Sequence, residues 1–287
     1  MIKVLVTGSN GQIGSQIKAL EFDYPNYNFF FKNHSDLDIT DHDFVKNYIN
    51  QNNFEIIINC AAYTNVEKAD IENELADAVN HLAVANLATV AKENKIKLIH
   101  FSTDYVFDGF KNYYYDETDK TNPLNAYGLT KLMGEFQIFK INPENSLIIR
   151  TSWLYSSYGV NFFKKILLNV VQKKELNIVE DQIGSPTNAK DLVKMLMKII
   201  PKIDNKSVEL FHYCNEGSCS WYEFAKEIFE FKKISTNLNP ISTLHYNSKI
   251  NRPKYSALNS EKIKNLYNLR IPNWKVSLHQ FLKDIKE

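Results

Sequence analysis

Cysteine is scarce in this chain: three residues, Cys60, Cys214 and Cys219, with no C-x-x-C pair among them. That odd, low count argues against a disulfide framework and a structural zinc site, and fits a reducing compartment. A charge of one sign is also missing. Lys plus Arg is 34 against Asp plus Glu at 33, so nothing suggests a nucleic-acid partner. No apolar run approaches the roughly eighteen residues of a membrane span, and no membrane partner is expected. Apolar sequence begins at Ile2, which leaves no signal peptide in view, so the cytoplasm is the expected location. Glycine is sparse too, at nine residues, yet Gly8, Gly11 and Gly14 fall within seven positions of one another.

What is present is an ordinary globular mixture, 44% hydrophobic over 287 residues, enough for one large core or two modest ones. Short apolar runs alternate with helical patterns through the first half. Strands are expected at 2–7, 27–32, 55–59, 97–102 and 146–151. Helices are expected at 11–20, at 41–51 opened by Thr40, at about 72–93 as one long element, and at 124–139. In the long element Leu75, Val79, Leu82, Leu87 and Val90 recur at helical spacing. Strict β-α alternation implies an α/β Rossmann domain over residues 1–151, a doubly wound parallel sheet with helices on both faces. After Thr151 the rhythm weakens, with helices plausible at 162–172, 189–200, 220–231 and 275–286. Residues 152–287 are expected to form a smaller C-terminal α/β substrate lobe, with part of the chain returning to the Rossmann sheet.

The glycines directly follow the first apolar run, as Gly8-Ser9-Asn10-Gly11-Gln12-Ile13-Gly14, and open a helix. Gly-x-x-Gly-x-x-Gly in that context suits a dinucleotide: a tight turn, a close backbone approach to pyrophosphate, and a close helix–strand contact. The helix start then directs its N–H groups and positive dipole end at phosphate. A nicotinamide-type cofactor is expected. The second strand runs Phe30-Phe31-Lys32-Asn33-His34, with no carboxylate before Asp36 to hold ribose hydroxyls. Lys32 or His34 can tolerate a 2′-phosphate, so the cofactor is read as NADPH or NADH.

Tyr127 and Lys131 are four positions apart and share a helix face. A phenol with an ordinary pKa of about 10 is a poor acid-base group at neutral pH. A neighbouring ammonium favours the phenolate and is expected to lower that value. Asn122 as N-cap and Pro123 as first helical residue would place Tyr127 near the helix start. A second Tyr-x-x-x-Lys pair, Tyr222 and Lys226, exists, and position separates the two. Tyr127 follows a strand ending Ser102-Thr103-Asp104-Tyr105, which puts Thr103 at the carboxyl edge of the sheet, where doubly wound folds bind ligands. Tyr222 lies outside the alternating region and reads as structural.

These features resemble the extended short-chain dehydrogenase/reductase family, and within it the dTDP-4-dehydrorhamnose reductase branch. The branch-like segments are Leu37-Asp38-Ile39-Thr40-Asp41, Ala61-Ala62-Tyr63-Thr64-Asn65-Val66-Glu67-Lys68-Ala69, and Ser102-Thr103-Asp104-Tyr105-Val106-Phe107-Asp108-Gly109. Pro123-Leu124-Asn125-Ala126-Tyr127-Gly128 through Lys131, with Gly134-Glu135, extends the match. Arg150-Thr151-Ser152-Trp153-Leu154-Tyr155, Asp181-Gln182-Ile183-Gly184-Ser185-Pro186-Thr187 and Arg252-Pro253-Lys254-Tyr255-Ser256 complete it.

The resemblance implies reduction of the C4 keto group of dTDP-4-dehydro-L-rhamnose to dTDP-L-rhamnose, for cell-surface polysaccharide synthesis. It makes Tyr127 the proton donor to the sugar's C4 oxygen. Lys131 tunes that phenol and bonds the nicotinamide ribose, and Thr103 bonds the reacting oxygen or the phenol. Gly8, Asn10, Gly11, Gln12, Ile13 and Gly14 cradle the cofactor, Asp38 and Ile39 flank adenine, and Ala62, Tyr63 and Thr64 line the trough. Asp104, Tyr105, Trp153 and Arg252 join Thr103 on the substrate side, with the Trp153 indole against the sugar ring and the Arg252 guanidinium toward the diphosphate. Glu67 stands where the family often has Asp. No metal is implied, and the protein is expected to be a monomer or homodimer. A 4,6-dehydratase of the same superfamily would carry Thr-Asp-Glu where this chain has Thr103-Asp104-Tyr105. A reductase of another nucleotide-linked 4-keto-6-deoxy sugar, and a non-catalytic nucleotide-binding regulatory subunit of the same fold, are the remaining readings. Retention of Thr103, Tyr127 and Lys131 together favours an enzyme.

Overall fold

The structure, a computed structural model, describes residues 1–172, 174–246, 248 and 250–285, so Lys286, expected to end the last helix, lies outside the described residues. Six parallel strands make the central sheet. Five come from the first half: β1 (Ile2–Thr7), β2 (Tyr27–Lys32), β3 (Ile56–Asn59), β4 (Lys97–Thr103) and β5 (Leu147–Thr151). The sixth, Glu209–His212, comes from the second half and pairs in parallel with β5. The order across the sheet is sixth strand, β5, β4, β3, β1, β2. Strand order reverses at β1, which lies between β2 and β3, and such a reversal opens a crevice at the carboxyl ends of the strands.

Side chains alternate across each strand with a period of two, and here both faces are apolar. Val4 and Val6 of β1, Ile58 of β3 and Ile99 of β4 point to one face, where they meet Ile13 and Ile17 of α1 (Gln12–Ala19) and Leu192 and Leu196 of helix Ala189–Ile199. Leu5, Ile57, Leu98 and Ile148 point to the other, under Val45 and Ile49 of α2 (His42–Asn52) and Val84 and Leu87 of helix Ala83–Glu93. The expected doubly wound α/β sheet covered on both faces is the fold observed. A separate apolar core, built around Tyr155, Phe163, Leu176, Phe224, Trp274 and Leu278, belongs to the second half.

Three local expectations differ. The helix expected as one piece over 72–93 is Asn73–Asp77, a π-helical turn Ala78–Leu82, and then Ala83–Glu93. The wider turn rotates the faces, so Leu75 and Leu82 point out while Ala76 and Leu87 are buried. Asn122 and Pro123 do not open the next helix, Ala126–Ile141; Asn125 does, its side chain accepting the Gly128 N–H at 3.0 Å. Asn122 is committed elsewhere, its N–H bonded to Val106 O at 2.9 Å. Asp41, not Thr40, caps α2 through the Phe44 N–H at 3.0 Å, because the Thr40 hydroxyl is turned onto Asp38.

Candidate active site

The site grows from the carboxyl end of β1. Gly8 has φ +60°, and a Cβ there would lie 2.5 Å from the Ala61 backbone nitrogen beyond β3. A Cβ at Gly14 would lie 2.6 Å from Ser9 Cα, so α1 starts tight against the turn. Gly11 caps α1 without any side-chain bond, which leaves the first-turn N–H groups free of a competing side chain. Asn10 is exposed beside the turn, and the Ile13 side chain is in the core. Gln12 does something different from cradling phosphate with its side chain. Its Oε1 accepts from Ser156 Oγ at 2.9 Å and Asn161 Nδ2 at 3.0 Å, and its Nε2 donates to Leu154 O at 3.3 Å. The glycine turn is thereby tied to the second half of the chain.

Lys32, which pairs in register with Thr7, holds its ammonium 5.1 Å from the centre of the Tyr48 ring. The His34 side chain is 84% exposed, 3.6 Å from Asp38. Burial pushes the Asp38 carboxyl up, but two bonds from Thr40 outweigh it and hold the group below its usual range. Ile39 is buried in the core under β1. Beyond β3, Ala62 and Tyr63 are half-buried and Thr64 is exposed. The Tyr63 backbone is gripped from both sides by Asn80, whose Oδ1 accepts its N–H at 2.9 Å and whose Nδ2 donates to its carbonyl at 3.0 Å. Asn80 sits in the π-helical turn, fully buried, and its Nδ2 also reaches Thr130 Oγ1 at 3.2 Å. The trough loop is therefore tied to the helix that carries Tyr127.

That helix brings Tyr127 and Lys131 to the end of β4. Its start packs so closely that a Cβ on Gly128 would lie 2.1 Å from the Tyr105 carbonyl oxygen. Burial pushes the Tyr127 phenol up to about 12, while the neighbouring Thr103 hydroxyl pulls it down and Asp104 adds to the rise. The expected lowering by Lys131 is not seen in this state. The lysine is turned inward, donating to Phe101 O at 2.6 Å with His100 Nε2 at 3.3 Å, and burial brings its ammonium down to about 8. Thr103 caps the turn that follows β4 by accepting the Tyr105 N–H at 3.1 Å.

Asp104 is buried, bonded by Thr103 Oγ1 at 3.1 Å and Ser256 Oγ at 2.6 Å. Burial pushes its carboxyl up to about 6. Tyr105 meets Tyr127 edge to face, with ring centres 5.7 Å apart. Burial raises the Tyr105 phenol, and Arg252 opposes that rise. Arg252 itself bonds Ser248 Oγ and, at 3.0 Å, Glu67 Oε1. Asn125 Nδ2 donates to Asn251 O at 2.9 Å, which joins the Arg252 loop to the start of the Tyr127 helix.

With this geometry in hand, likeness to known proteins is informative. Residues 2–287 match the family model described as the RmlD substrate binding domain. The dTDP-4-dehydrorhamnose reductase of Aggregatibacter actinomycetemcomitans is 37% identical over 287 residues, 97% of this chain and 97% of its own. That of Sinorhizobium fredii is 38% identical, over 98% of this chain and 97% of its own. The chain belongs to the dTDP-4-dehydrorhamnose reductase family. A solved dTDP-4-dehydrorhamnose reductase from Bacillus anthracis, in complex with NADP, superposes with a TM-score of 0.94 at 36% identity, covering 99% of this chain and 100% of that one.

In this member of the reductase family, a cleft of about 800 Å³ opens beside the site, with Glu67, Tyr105, Lys165, Trp221 and Arg252 among its walls. Trp153 is not on that wall. Its backbone has φ +45°, a strained setting for tryptophan. Its indole stacks on Trp221 with centroids 3.4 Å apart and planes 6° from parallel. Gly184 makes room for it, since a Cβ there would lie 2.3 Å from the ring. The tryptophan that faces the cleft is thus Trp221, which sequence reasoning passed over. Its signal was the Ser220–Glu223 capping box, which marks a helix start and not a cleft. Asn80 and Ser256 were also missed. For Asn80 the trace was a polar residue among Ala and Val in an apolar helical pattern; for Ser256 it was only its place at the end of the branch-like segment that starts at Arg252.

Proposed function

We infer that this protein reduces the C4 keto group of dTDP-4-dehydro-L-rhamnose (dTDP-4-dehydro-6-deoxy-L-mannose) to dTDP-L-rhamnose, with NADPH or NADH as cofactor. The observation that carries this reading is the meeting of Thr103, Tyr127 and Lys131 at the carboxyl edge of β4, beside a glycine turn, in a chain that matches the reductases along its whole length.

The glycine turn fits a dinucleotide: Gly8 and Gly14 let the turn close on Ala61 and Ser9 where no side chain has room, and no side chain caps the start of α1. The Gly8–Gly14 backbone would hold the pyrophosphate, with Asp38, Ile39, Ala62, Tyr63 and Thr64 along the trough and Lys131 at the nicotinamide ribose. Lys32 at the end of β2, with no carboxylate there, suits NADPH as well as NADH. When bound, the dihydronicotinamide supplies a hydride to C4. Tyr127 supplies the proton to the carbonyl oxygen. A phenol held at about 12 keeps its proton at neutral pH, the state from which a reductase must donate. Thr103 offers its hydroxyl to the oxygen or to the phenolate that remains.

Asp104 positions Thr103 rather than meeting the sugar through an open face, its oxygens being engaged by Thr103 and Ser256. Tyr105 and Arg252 line the cleft with Trp221, and the guanidinium suits the diphosphate. Trp153 contributes through its stack on Trp221. The cleft volume falls in the range of about 300–1,000 Å³ usual for small-molecule sites. No helix among the described residues is long and apolar enough to cross a membrane. Cys60, Cys214 and Cys219 are free thiols, which fits a reducing cytoplasm. The protein acts as a monomer or homodimer, with no nucleic-acid partner.

The test is loss of dihydronicotinamide absorbance when the purified protein meets NADPH or NADH and a panel of dTDP-, UDP- and GDP-linked 4-keto-6-deoxy sugars. Fastest oxidation with dTDP-4-dehydro-L-rhamnose is expected. No oxidation with it overturns the reading.

A further inference from the structure

Beneath Lys131 lies a chain of buried polar groups that the reaction does not use, and its orientation can be fixed from one end. The Ala61 backbone N–H can only donate, and it points at Asn59 Oδ1 from 3.2 Å. The Thr7 hydroxyl donates to the same oxygen at 2.7 Å. The other amide atom, Nδ2, is therefore the one 3.0 Å from His100 Nδ1. An amide NH₂ only donates, so His100 Nδ1 accepts, and a neutral imidazole that accepts at Nδ1 carries its proton on Nε2. That Nε2 lies 3.3 Å from Lys131 Nζ.

An N–H facing an ammonium is a contact between two donors. It is satisfied only if the lysine is the uncharged amine, its lone pair taking the imidazole N–H while its own N–H goes to Phe101 O at 2.6 Å. Protonating the imidazole instead would set an Nδ1–H against the Asn59 NH₂. Water does not relieve the conflict, because Thr7, Asn59, His100 and Lys131 are all at most 2% exposed.

We propose that Asn59 and His100 are positioning residues that set the protonation state of Lys131, locking a histidine tautomer that favours the neutral amine until new acceptors reach the site. The proposal rests on the reading of Lys131 as a catalytic residue. One charge beside it opposes the neutral amine and is committed elsewhere. Glu135, on the lysine's own helix, favours the ammonium, but is already held by Arg150 of β5 in a two-pronged bond of 2.9 and 2.6 Å. His100 of β4 is kept well below its ordinary pKa by burial and by Lys131. Tyr127 stands one turn earlier on the same helix, and Asn59 of β3 and Thr7 of β1 are uncharged. Burial, against the pull of Glu135, brings the lysine down to about 8.

The experiment is nuclear magnetic resonance on the full chain without cofactor, labelled at histidine and lysine, alongside turnover with NADPH and dTDP-4-dehydro-L-rhamnose. In the wild type, His100 is expected with a bare Nδ1 and a protonated Nε2 wherever Lys131 is the free amine, and Lys131 is expected to titrate below the value of about 8 set by burial and Glu135. In Asn59→Asp a carboxylate oxygen takes the Nδ1 proton, the tautomer reverses, and Nε2 becomes an acceptor for the ammonium. The lysine titration should then move up by a pH unit or more, and any limb of the kcat profile that reports it should move with it. His100→Gln, which adds no charge and offers an amide oxygen, should move the titration the same way. A wild-type His100 protonated at Nδ1, a lysine shift in Asn59→Asp without tautomer reversal, or an unmoved lysine in His100→Gln each overturns the proposal. Failure of the reductase reading would appear separately, as wild-type protein with the tautomer intact and no turnover.

Discussion

At the scale of single residues, Tyr127 and Tyr222 present the same local pattern, a tyrosine four positions before a lysine, in opposite surroundings. Tyr127 stands beside Thr103 and against Tyr105 at the sheet edge. Tyr222 opens a late helix whose Lys226 is paired with Glu230 at 3.8 Å on the surface. Tyr127→Phe is expected to lower kcat by about 100-fold or more while leaving cofactor affinity near normal, since general acid catalysis contributes factors of about 10² to 10⁴. Tyr222→Phe is expected to leave kcat almost unchanged. Steady-state kinetics with cofactor titration checks both, and a large loss at Tyr222 without unfolding would exchange their roles. Asp104 makes a different kind of prediction. Burial lifts its carboxyl to about 6, so the folded chain holds that proton more tightly than the unfolded chain does. Its contribution to stability is complete below about pH 4 and is lost as the pH rises through about 6. Asp104→Asn keeps a neutral group there and should gain on the wild type across that window by on the order of 2–3 kcal/mol. Denaturant midpoints of the two proteins at pH 4 and pH 7 measure the difference, and a gap that does not change with pH refutes it.

At the scale of elements, much of the fold was legible and some of the site was not. Strands β1 and β5 could be read because both their faces are largely buried, and the half-buried edge strand β2 because its aromatic run stands between turn residues. The π-helical turn at Ala78–Leu82 was invisible to a helical period, because an insertion of that kind changes the phase without changing the composition. It was the reason Leu75 and Leu82 looked like core residues. The Asn125 cap was hidden behind Asn122-Pro123, an equally good start signal whose donor went instead to Val106. The inward turn of Lys131 could not be read at all, since its partners His100 and Phe101 lie on a strand about thirty residues away in sequence. The π-helical turn has a measurable consequence. Asn80→Ala removes three bonds that tie the Tyr63 loop to Thr130 and leaves two part-buried backbone groups without this partner. A loss of about 2–4 kcal/mol in stability is expected from unmet buried donors and acceptors. KM for the cofactor should rise more than KM for the sugar, because we place this loop on the cofactor side. Equal changes in the two constants would place the loop elsewhere.

At the scale of the whole molecule, the first half builds the crevice in which we place the dinucleotide, and the second supplies a sheet strand, a helix on the sheet and most of the cleft wall. The catalytic chemistry needs both at once, since cofactor and sugar must meet within reach of Tyr127. Gln12 is one of the residues at which the two halves are fastened. It belongs to the glycine turn, yet its side chain takes donors from Ser156 and Asn161 and gives one to Leu154. Asn161 in turn lines the cleft. A residue that only cradled phosphate would affect cofactor binding alone. Because Gln12 spans the junction, Gln12→Ala is expected to raise KM for both cofactor and sugar, each by about tenfold, with kcat lowered by misplacement of one relative to the other. Ser156 and Asn161 each lose one acceptor but keep the Tyr158 carbonyl, so stability should fall by only about 0.5–1.5 kcal/mol. Gln12→Glu keeps the acceptor oxygens for Ser156 and Asn161 but brings a carboxylate to the phosphate turn. It should retain stability and sugar affinity better than Gln12→Ala while weakening cofactor binding through charge. Kinetics in both substrates, with unfolding curves for the two variants, separate these effects. If Gln12→Ala changes only the cofactor constant, the side chain is a phosphate ligand and the fastening lies elsewhere.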